Sequence, residues 1–264
     1  MKRICFLMEF RGDGYVHPVI SEVMRDLERR GWHVDARITE NEPLSIEDLR
    51  VEHDLYVLKS SSPMTDQVAA LIAANGGRTL NDIAAVQRIR NKIWVDKFLR
   101  DRGIPIPESY LGRATDLQSV LEQRGALIIK PIGGRHGVGV RLVRDVRGLH
   151  EASHGDGVYA QEFKSGDGFD RKIYVAGGEV WASKKAFASG ASYMANAQPV
   201  RLTPEMRSVA LRIGQLLGLE IYGIDMIESE DGLWVVDVNG FPGFKGLSGV
   251  EPVLASYIDR RARG

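Results

Sequence analysis

Two apolar stretches in the last third of the sequence carry side chains that suit a divalent metal. Asp237 and Asn239 lie in residues 234–240, and their side chains share one face if this run is a strand, because side chains alternate along a strand. Asp225 lies in a second apolar run, 222–227, and turn residues separate the two runs. A hairpin would bring two carboxylates and an amide together, and such oxygen ligands suit Mg²⁺ or Mn²⁺. Each residue alone would be an ordinary strand-end residue, but their convergence predicts a metal site.

A lysine followed by a glycine-rich turn is typical of a phosphate-binding element. Residues 126–130 form an apolar run that ends in a lysine, and GGRHGVG follows at 133–139. Glycine lets backbone amides approach a phosphate because no Cβ intervenes, and the lysine adds a compact positive charge. A glycine-rich hairpin alone is weak support, so the prediction depends on the lysine and the turn together. The candidate phosphate contacts are Lys130, Gly133, Gly134 and Gly137.

Further positive charge lies on a predicted hairpin formed by residues 170–177 and 180–186. Lys184 and Lys185 would face opposite sides of their strand, so at most one of them reaches a shared cleft. Lys172 together with Lys184 is predicted to supply the charge that a transferring phosphoryl group needs. The alternative is that the paired lysines protect an exposed strand edge against aggregation.

The elements that would position these residues follow from the hydrophobic pattern. Within the first eighty residues, apolar runs at 4–10, 32–38 and 54–58 predict strands, and helical spacing predicts helices at 17–30 and 65–74. This order favours a small parallel sheet. The loop FRGDG after the first strand lies at the strand end where parallel sheets bind ligands, although a flexible turn fits it equally well.

Three further helices are predicted in the rest of the chain. Residues 81–92 continue into a helix that runs to 102, where a glycine and two prolines follow. Thr203 suits an N-cap and Gly218 a helix end, so a helix is predicted between them. A last helix is predicted over 250–261, with basic residues at its C-terminal end.

Taken in order, these motifs resemble those of the ATP-grasp superfamily, and RimK-type proteins in particular. The resemblance covers residues 80–250 and implies an α/β fold in which two α+β lobes hold Mg-ATP between them, after a small parallel-sheet domain. The implied division is an N-terminal domain at 1–80, a central lobe at 81–160 and a C-terminal lobe with the metal site at 161–264. The implied cofactors are ATP and Mg²⁺ or Mn²⁺.

The resemblance also implies roles for individual residues. Lys92 matches a lysine that reaches the nucleotide phosphates. The ligases usually carry arginine at the position of Lys172, and Arg171 lies beside it, so both are catalytic candidates. The implied hinge, at which backbone groups recognise the adenine edge, consists of Gln161, Glu162 and Phe163. The candidate substrate contacts are Arg135, His136, Asn196 and Arg201.

Two reactions and one non-catalytic role fit these motifs. In RimK-type ligases ATP phosphorylates a carboxylate and an amine then displaces the phosphate, whereas in the inositol-tetrakisphosphate kinase branch the γ-phosphate passes to a hydroxyl. Asp237, where ligases usually carry Glu, and the Phe-Pro-Gly at 241–243 resemble the kinase branch. The overall layout, the chain length and the helix at Lys92 favour the ligase. We therefore predict a carboxylate-amine ligase, with a kinase and a nucleotide-binding module without turnover as alternatives.

Composition excludes several partners and protein classes. Lys plus Arg and Asp plus Glu both total 35, so no net field favours nucleic acid or an anionic membrane as a partner. The single cysteine, Cys5, excludes an internal disulfide framework. The apolar run at the start is too short for a signal peptide or a membrane span. We expect a cytoplasmic enzyme that acts on a small-molecule or peptide substrate, and a homo-oligomer is possible because related enzymes are often dimers or tetramers.

Overall fold

Three β-sheets follow one another along the chain, and helices cover them. The computed structural model describes residues 2–9, 17–41, 43–132, 139–152, 157–186 and 197–264. The FRGDG loop and the glycines predicted to bind phosphate lie outside these residues. Within the described ranges the chain mixes helices with parallel and antiparallel strands, and this confirms the predicted α/β class.

The first sheet is parallel. Its strands are β1 (Arg3–Met8), β2 (His33–Ile38), β3 (Leu55–Lys59) and β4 (Thr79–Leu80), and its helices are α1 (Pro18–Arg29) and α2 (Pro63–Ala74). The strand order is β2-β1-β3-β4. Both faces of β1 are covered, since Phe6 packs in a core with Ile20 of α1 and Leu7 in another with Ile72 of α2. A parallel sheet buried on both faces needs continuous apolar strands, which explains the run at the start of the sequence.

A break interrupts the helical segment that follows. It consists of α3 (Ile83–Arg90) and α4 (Lys92–Arg100), with Asn91 between them. The backbone of Asn91 leaves the helical region at φ −86° and ψ 85°, and its side chain accepts a hydrogen bond of 3.0 Å from the Trp94 amide. Asparagine competes in this way with the helix for backbone partners. The helix predicted to run to 102 is therefore α4, which begins at Lys92 and ends at Arg100, and α3 is a separate helix before it.

The second sheet is antiparallel and small. Its strands are β5 (Ser109–Gly112), β6 (Leu127–Lys130), β7 (Arg141–Val143) and β8 (Val158–Glu162), and the helices are α5 (Gln118–Arg124) and α6 (Val146–Ala152). The strand order is β5-β8-β6-β7. Its core joins Leu127 and Ile129 of β6 to Leu121 of α5 and Leu149 of α6. Because alternate residues of β6 enter this core, the strand is held in one register and Lys130 lies at its end.

The third sheet carries the predicted metal ligands. Its strands are β9 (Gly166–Ala176), β10 (Glu179–Ala186), β11 (Gln198–Pro199), β12 (Ile221–Ser229) and β13 (Gly232–Gly240), and the helices are α7 (Pro204–Leu217) and α8 (Glu251–Arg263). The strand order is β11-β10-β9-β12-β13, antiparallel throughout. Thr203 caps α7 by accepting a bond from the Met206 amide, and Gly218 ends it at φ 70°, as the sequence predicts.

Two hydrophobic cores join parts of the chain that are distant in sequence. Val95 and Leu99 of α4 pack with Ile213 of α7 and the third sheet. Leu254 and Ile258 of α8 pack instead against α1 and the first sheet. The predicted boundary at 80 lies at the end of β4, and the one at 160 lies within β8 of the second sheet. The domain boundaries stay a prediction.

None of the helices in the described ranges combines the length and the apolar character needed to cross a membrane.

Candidate active site

The hairpin of β12 and β13 brings the predicted metal ligands together. Asp225 is directly opposite Asp237, and Gly223 is opposite Asn239. Paired residues in a sheet point to the same face, so the side chains of Asp225, Asp237 and Asn239 share one face. The Asn239 amide donates a hydrogen bond of 3.0 Å to Asp237 Oδ2. The hairpin and the convergence of these residues are as the sequence predicts.

A β-bulge beside this pair sets up a contact with the second sheet. The register passes from Asp225 opposite Asp237 to Met226 opposite Val235, which leaves Val236 as the extra residue of β13. The carbonyl of Val236 accepts a hydrogen bond of 2.7 Å from Lys130 Nζ. The bulge thus lets the lysine at the end of β6 reach the strand that carries Asp237.

Lys92 of α4 contacts Asp237. As the first residue of α4 it directs its side chain back past the helix start, and Nζ donates to Asp237 Oδ1. Burial favours the neutral acid, but the ammonium groups of Lys92 and Lys130 outweigh it and lower the pKa of Asp237. Burial also lowers the pKa of Lys130, against the opposing effect of Asp237 and Asp96. Asp237 is therefore held as a carboxylate, the form that a metal ligand requires.

Lys172 completes the cluster from β9. It is in register with Asp225, and its Nζ donates a hydrogen bond of 2.5 Å to Asp225 Oδ2. Asp170, two residues earlier on the same face, lies 4.0 Å from the same Nζ. Ammonium groups from three separate elements therefore reach this hairpin, where Lys92 contacts Asp237, Lys172 contacts Asp225 and Lys130 contacts the Val236 carbonyl.

Two of the predicted catalytic residues face the other way. Arg171 and Lys184 are opposite each other in the β9–β10 pair, whereas Lys172 is opposite Ser183, so the first two lie on the other face of the sheet. Lys184 Nζ lies 4.7 Å from the centre of the Phe169 ring. The expectation that Lys184 shares the cleft with Lys172 is therefore wrong, because the strand alternation puts Lys185 on that face.

Arg171 is bound to acids on the face of the sheet opposite to Asp225 and Asp237. It is 7% exposed. Its guanidinium makes a bidentate pair with Asp167, at 3.0 and 2.7 Å, and a third bond of 2.8 Å to Glu228. With these partners on this face, Arg171 has a structural role in the sheet. The prediction that Arg171 is a catalytic group is corrected for this reason.

Lys185 lies on the same face as Lys172. It is in register with Asp170, and burial lowers its pKa, with the positive charges of Lys172 and Lys245 acting in the same direction. The face that carries the paired acids therefore also carries more than one ammonium group from the neighbouring hairpin.

The predicted adenine hinge lies at the end of β8. The Glu162 amide donates to the Glu108 carbonyl at 2.8 Å, and the Phe163 amide donates to the Ala126 carbonyl at 3.4 Å. These two N–H groups are engaged in the second sheet, so a purine would have to be recognised by carbonyls or by residues further along. Gln161 is 1% exposed, and its side chain contacts Lys130 and Asp96.

Of the remaining predicted contacts, Arg201 lies in the described residues and away from this cluster. Arg201 is exposed and follows β11, which runs antiparallel to β10 and carries the chain away from Lys185. The other candidates lie outside the described residues, namely Gly133, Gly134, Arg135, His136, Gly137 and Asn196.

A protein-family model matches most of the chain, including the strands that carry the paired acids, as well as Lys92, Lys130 and Lys172. A model of the RimK-like ATP-grasp domain matches residues 89–255. The chain belongs to the RimK-like ATP-grasp family. The protein named "Probable alpha-L-glutamate ligase 1" of Shewanella amazonensis is 31% identical over 207 residues, which cover 71% of this chain and 69% of that protein.

Solved ATP-grasp structures share the whole fold. A RimK domain ATP-grasp protein from Sphaerobacter thermophilus superposes with a TM-score of 0.79 at 19% identity, covering 97% of this chain and 98% of the other. The ATP-grasp ligase PsnB, complexed with minimal precursor, Mg and ADP, gives a TM-score of 0.72 at 19% identity, covering 98% and 97%. These matches confirm the ATP-grasp fold predicted from the motifs.

Membership of the RimK-like ATP-grasp family also decides between the predicted activities. Relatives that match this chain are named as ligases. The prediction of an ATP-dependent ligase is therefore confirmed.

Sequence reasoning missed Asp96 and Tyr159 beside this site, and it named Lys184 where the strand register selects Lys185. Asp96 lies four residues after Lys92 and hence on the same side of α4, next to the buried Val95 and Leu99. An acid in this apolar stretch is a signal that could have been noticed. Its partner Tyr159 becomes apparent only when β8 and α4 are packed together.

Proposed function

We propose that this protein joins a substrate carboxylate to an amine, with ATP activating the carboxylate as an acyl phosphate. The observation that carries the proposal is the pair Asp225–Asp237, which meets Lys92 of α4, Lys130 of β6 and Lys172 of β9 at one hairpin. Phosphoryl transfer depends on positioning and on charge stabilisation, and a metal–triphosphate complex needs both kinds of charge close together.

Asp225, Asp237 and Asn239 would hold Mg²⁺, with Mn²⁺ as the alternative ion. The donor set fits, because it offers two carboxylates and an amide on one sheet face and because lysines favour the ionised form of Asp237. In the described part of the chain, no three His, Cys, Asp or Glu side chains group closely enough to hold a metal. The Asn239 amide and phosphate oxygens would therefore complete the ligand set. Mg²⁺ bound there would neutralise phosphate charge during the transfer.

The lysines would divide the work of binding and transfer. Lys92 and Lys130 would bind the phosphates of ATP, and Lys172 would stabilise the γ-phosphoryl group as it passes to the substrate carboxylate, giving ADP and an acyl phosphate. The amine then attacks the acyl carbon, the bond from that carbon to the phosphate oxygen breaks, and phosphate leaves with the bonding pair. The nitrogen gives up a proton, and the product is an amide. Lys185 would bind an anionic group of the substrate on the same face.

Amino acids and peptides are the substrates that the comparisons suggest. One relative is named as a glutamate ligase, and PsnB is complexed with a precursor. We propose glutamate or a similar amino acid as one substrate and a small molecule or peptide as the other.

The test is a turnover assay that follows ADP, free phosphate and product mass together. The protein is incubated with Mg-ATP, glutamate and a panel of acids, amines and peptides, and Mn²⁺ replaces Mg²⁺ in a parallel series. We expect equal amounts of ADP and phosphate, and a product whose mass is that of the two substrates minus water. Asp237→Asn is the negative control, and Lys184→Gln is the matched control on the opposite face of the sheet.

Other outcomes would point elsewhere. ADP without free phosphate, together with a phosphorylated alcohol, would show a kinase. Binding of Mg-ATP without turnover on any member of the panel would favour a nucleotide-binding module.

A further inference from the structure

A buried chain of hydrogen bonds leads from α4 to the phosphate lysine of β6. Asp96 is 8% exposed, and its Oδ2 accepts bonds from the Tyr159 hydroxyl and from Gln161 Nε2, the latter at 2.8 Å. Ser109 Oγ lies 3.4 Å from the same oxygen. A buried carboxylate is costly unless donors surround it, and here one of its oxygens receives them.

Gln161 links Asp96 to Lys130 through its side-chain amide. Its amide nitrogen donates to Asp96, and its amide oxygen accepts a bond of 2.8 Å from Lys130 Nζ. If the amide were turned over, its NH₂ group would face the ammonium and its oxygen would face the carboxylate. Both contacts would be repulsive, so Asp96 fixes the orientation of the Gln161 amide.

Lys130 is thereby held by two acceptors from different elements. The Gln161 amide lies in β8 and the Val236 carbonyl in the bulge of β13, 2.7 Å from Nζ. An ammonium has three donor hydrogens in tetrahedral directions, so two fixed acceptors determine where the third hydrogen points. A lysine held in this way loses less conformational freedom when it binds an anion than one on a flexible side chain does.

We propose that Asp96 is a positioning residue that acts through Gln161 and sets the direction in which Lys130 presents its ammonium to a nucleotide phosphate. The proposal rests on the proposed function, in which Lys130 binds ATP. The competing view is that Asp96 only stabilises the packing of α4 on the second sheet.

The affinities for ADP and for adenosine separate these two views. Asp96→Ala removes the acceptor, and we expect ADP to bind about tenfold more weakly, within the range for one weakened charge-assisted contact. Adenosine lacks the phosphates, so its affinity should stay unchanged. Asp96→Asn keeps an oxygen for the Gln161 and Tyr159 donors and should restore most of the ADP affinity. Asp101→Ala, an exposed acid paired with Lys97 at the end of the same helix, is the matched control.

A double-mutant cycle with Lys130→Ala tests whether Asp96 affects ADP affinity through Lys130. If Asp96 acts through Lys130, then Asp96→Ala should cause no further loss of ADP affinity when Lys130 is already alanine. Equal weakening of ADP and adenosine, or effects that add in full, would overturn the proposal. Should Asp96→Ala not fold, Gln161→Met breaks the same chain while Tyr159 stays bonded to Asp96, and an unchanged ADP affinity in that variant would also overturn it.

The single variants also keep this proposal distinct from the proposed function. If the unmodified protein does not bind ADP, or if Lys130→Ala binds it as tightly as the unmodified protein, the assignment of Lys130 to the nucleotide site fails. If Lys130→Ala weakens ADP binding and Asp96→Ala does not, only the positioning role of Asp96 fails.

Discussion

Mutation of Arg171 should lower the stability of the protein, whereas mutation of the neighbouring Lys172 should lower its activity. Arg171 and Lys172 differ by one position and therefore lie on opposite faces of the third sheet. Replacing Arg171 with methionine keeps much of the apolar stem and removes the guanidinium. We expect the protein to lose stability and to keep its activity per folded molecule. Lys172→Met should instead lose activity, because its ammonium contacts Asp225.

The size of the stability effect follows from the contacts of Arg171. The guanidinium makes three bonds of 3.0 Å or less to Asp167 and Glu228. Both carboxylates are about half exposed, at 49% and 51%, so water can replace the lost partner. We therefore assign about 0.5–1 kcal/mol to each bond, about 2 kcal/mol in total. For a chain of this size the expected decrease in Tm is about 4–8 °C.

The assay is thermal and chemical unfolding of the two variants beside ligase turnover at a temperature where all are folded. Arg171→Met should keep kcat/KM within about threefold, whereas Lys172→Met should lower it by about a hundredfold or more, the range for lost transition-state donors. A loss of turnover in folded Arg171→Met as large as that in Lys172→Met would refute the reasoning from the register.

The pH dependence adds a second check. The hydrogen bonds from Arg171 hold the pKa of Asp167 below its ordinary value. An acid whose pKa is lower in the folded state than in the unfolded state stabilises the fold at pH values above its unfolded pKa, about 3.9. That contribution disappears as the pH falls through the pKa of the folded state. The stability difference between the unmodified protein and Arg171→Met should therefore be constant from about pH 5 to 7 and shrink below about pH 4.

Four further variants test the site. Asp237→Asn should abolish Mg-dependent turnover and the thermal stabilisation by Mg-ATP while leaving the protein folded, and full turnover would remove Asp237 from the metal site. Lys130→Ala should weaken ATP binding by about 1.5–3 kcal/mol in calorimetry, and an unchanged Kd would contradict its assignment to the phosphates. Lys185→Gln should lower kcat/KM by about tenfold or more and Lys184→Gln by less than about twofold, because Lys185 alone of the two shares the face of Lys172; the reverse pattern would argue against the assigned faces.

The hairpin of the site could be predicted because its signals are local. The apolar runs that contain Asp225 and Asp237, with turn residues between them, are sufficient to indicate two paired strands, and alternation then places the acids on one face. Lys130 was predictable for a similar reason, since an apolar run ends at it.

What the sequence could not give depends on register and tertiary packing. Alternation shows that Lys184 and Lys185 face opposite ways, but only pairing with β9 decides which of them joins Lys172. The break at Asn91 depends on a single side chain capping α4. The contact of Asp96 with Tyr159 joins residues 63 positions apart, and no local pattern encodes it. The cytoplasmic location and the homo-oligomer stay predictions.

The position of α8 has a consequence for the synthesis of the chain. Ile4 and Phe6 of the first sheet are buried together with Leu254 and Ile258 of α8. Until α8 has left the ribosome, one face of the first sheet has no cover from that helix. At about 5–20 residues per second, the segment from the end of β4 to the end of α8 takes roughly 10–40 s to translate. Of the three sheets, the first to be synthesised is therefore the last to be completed, and during that interval the part of its apolar face that α8 covers is exposed to chaperones or to aggregation.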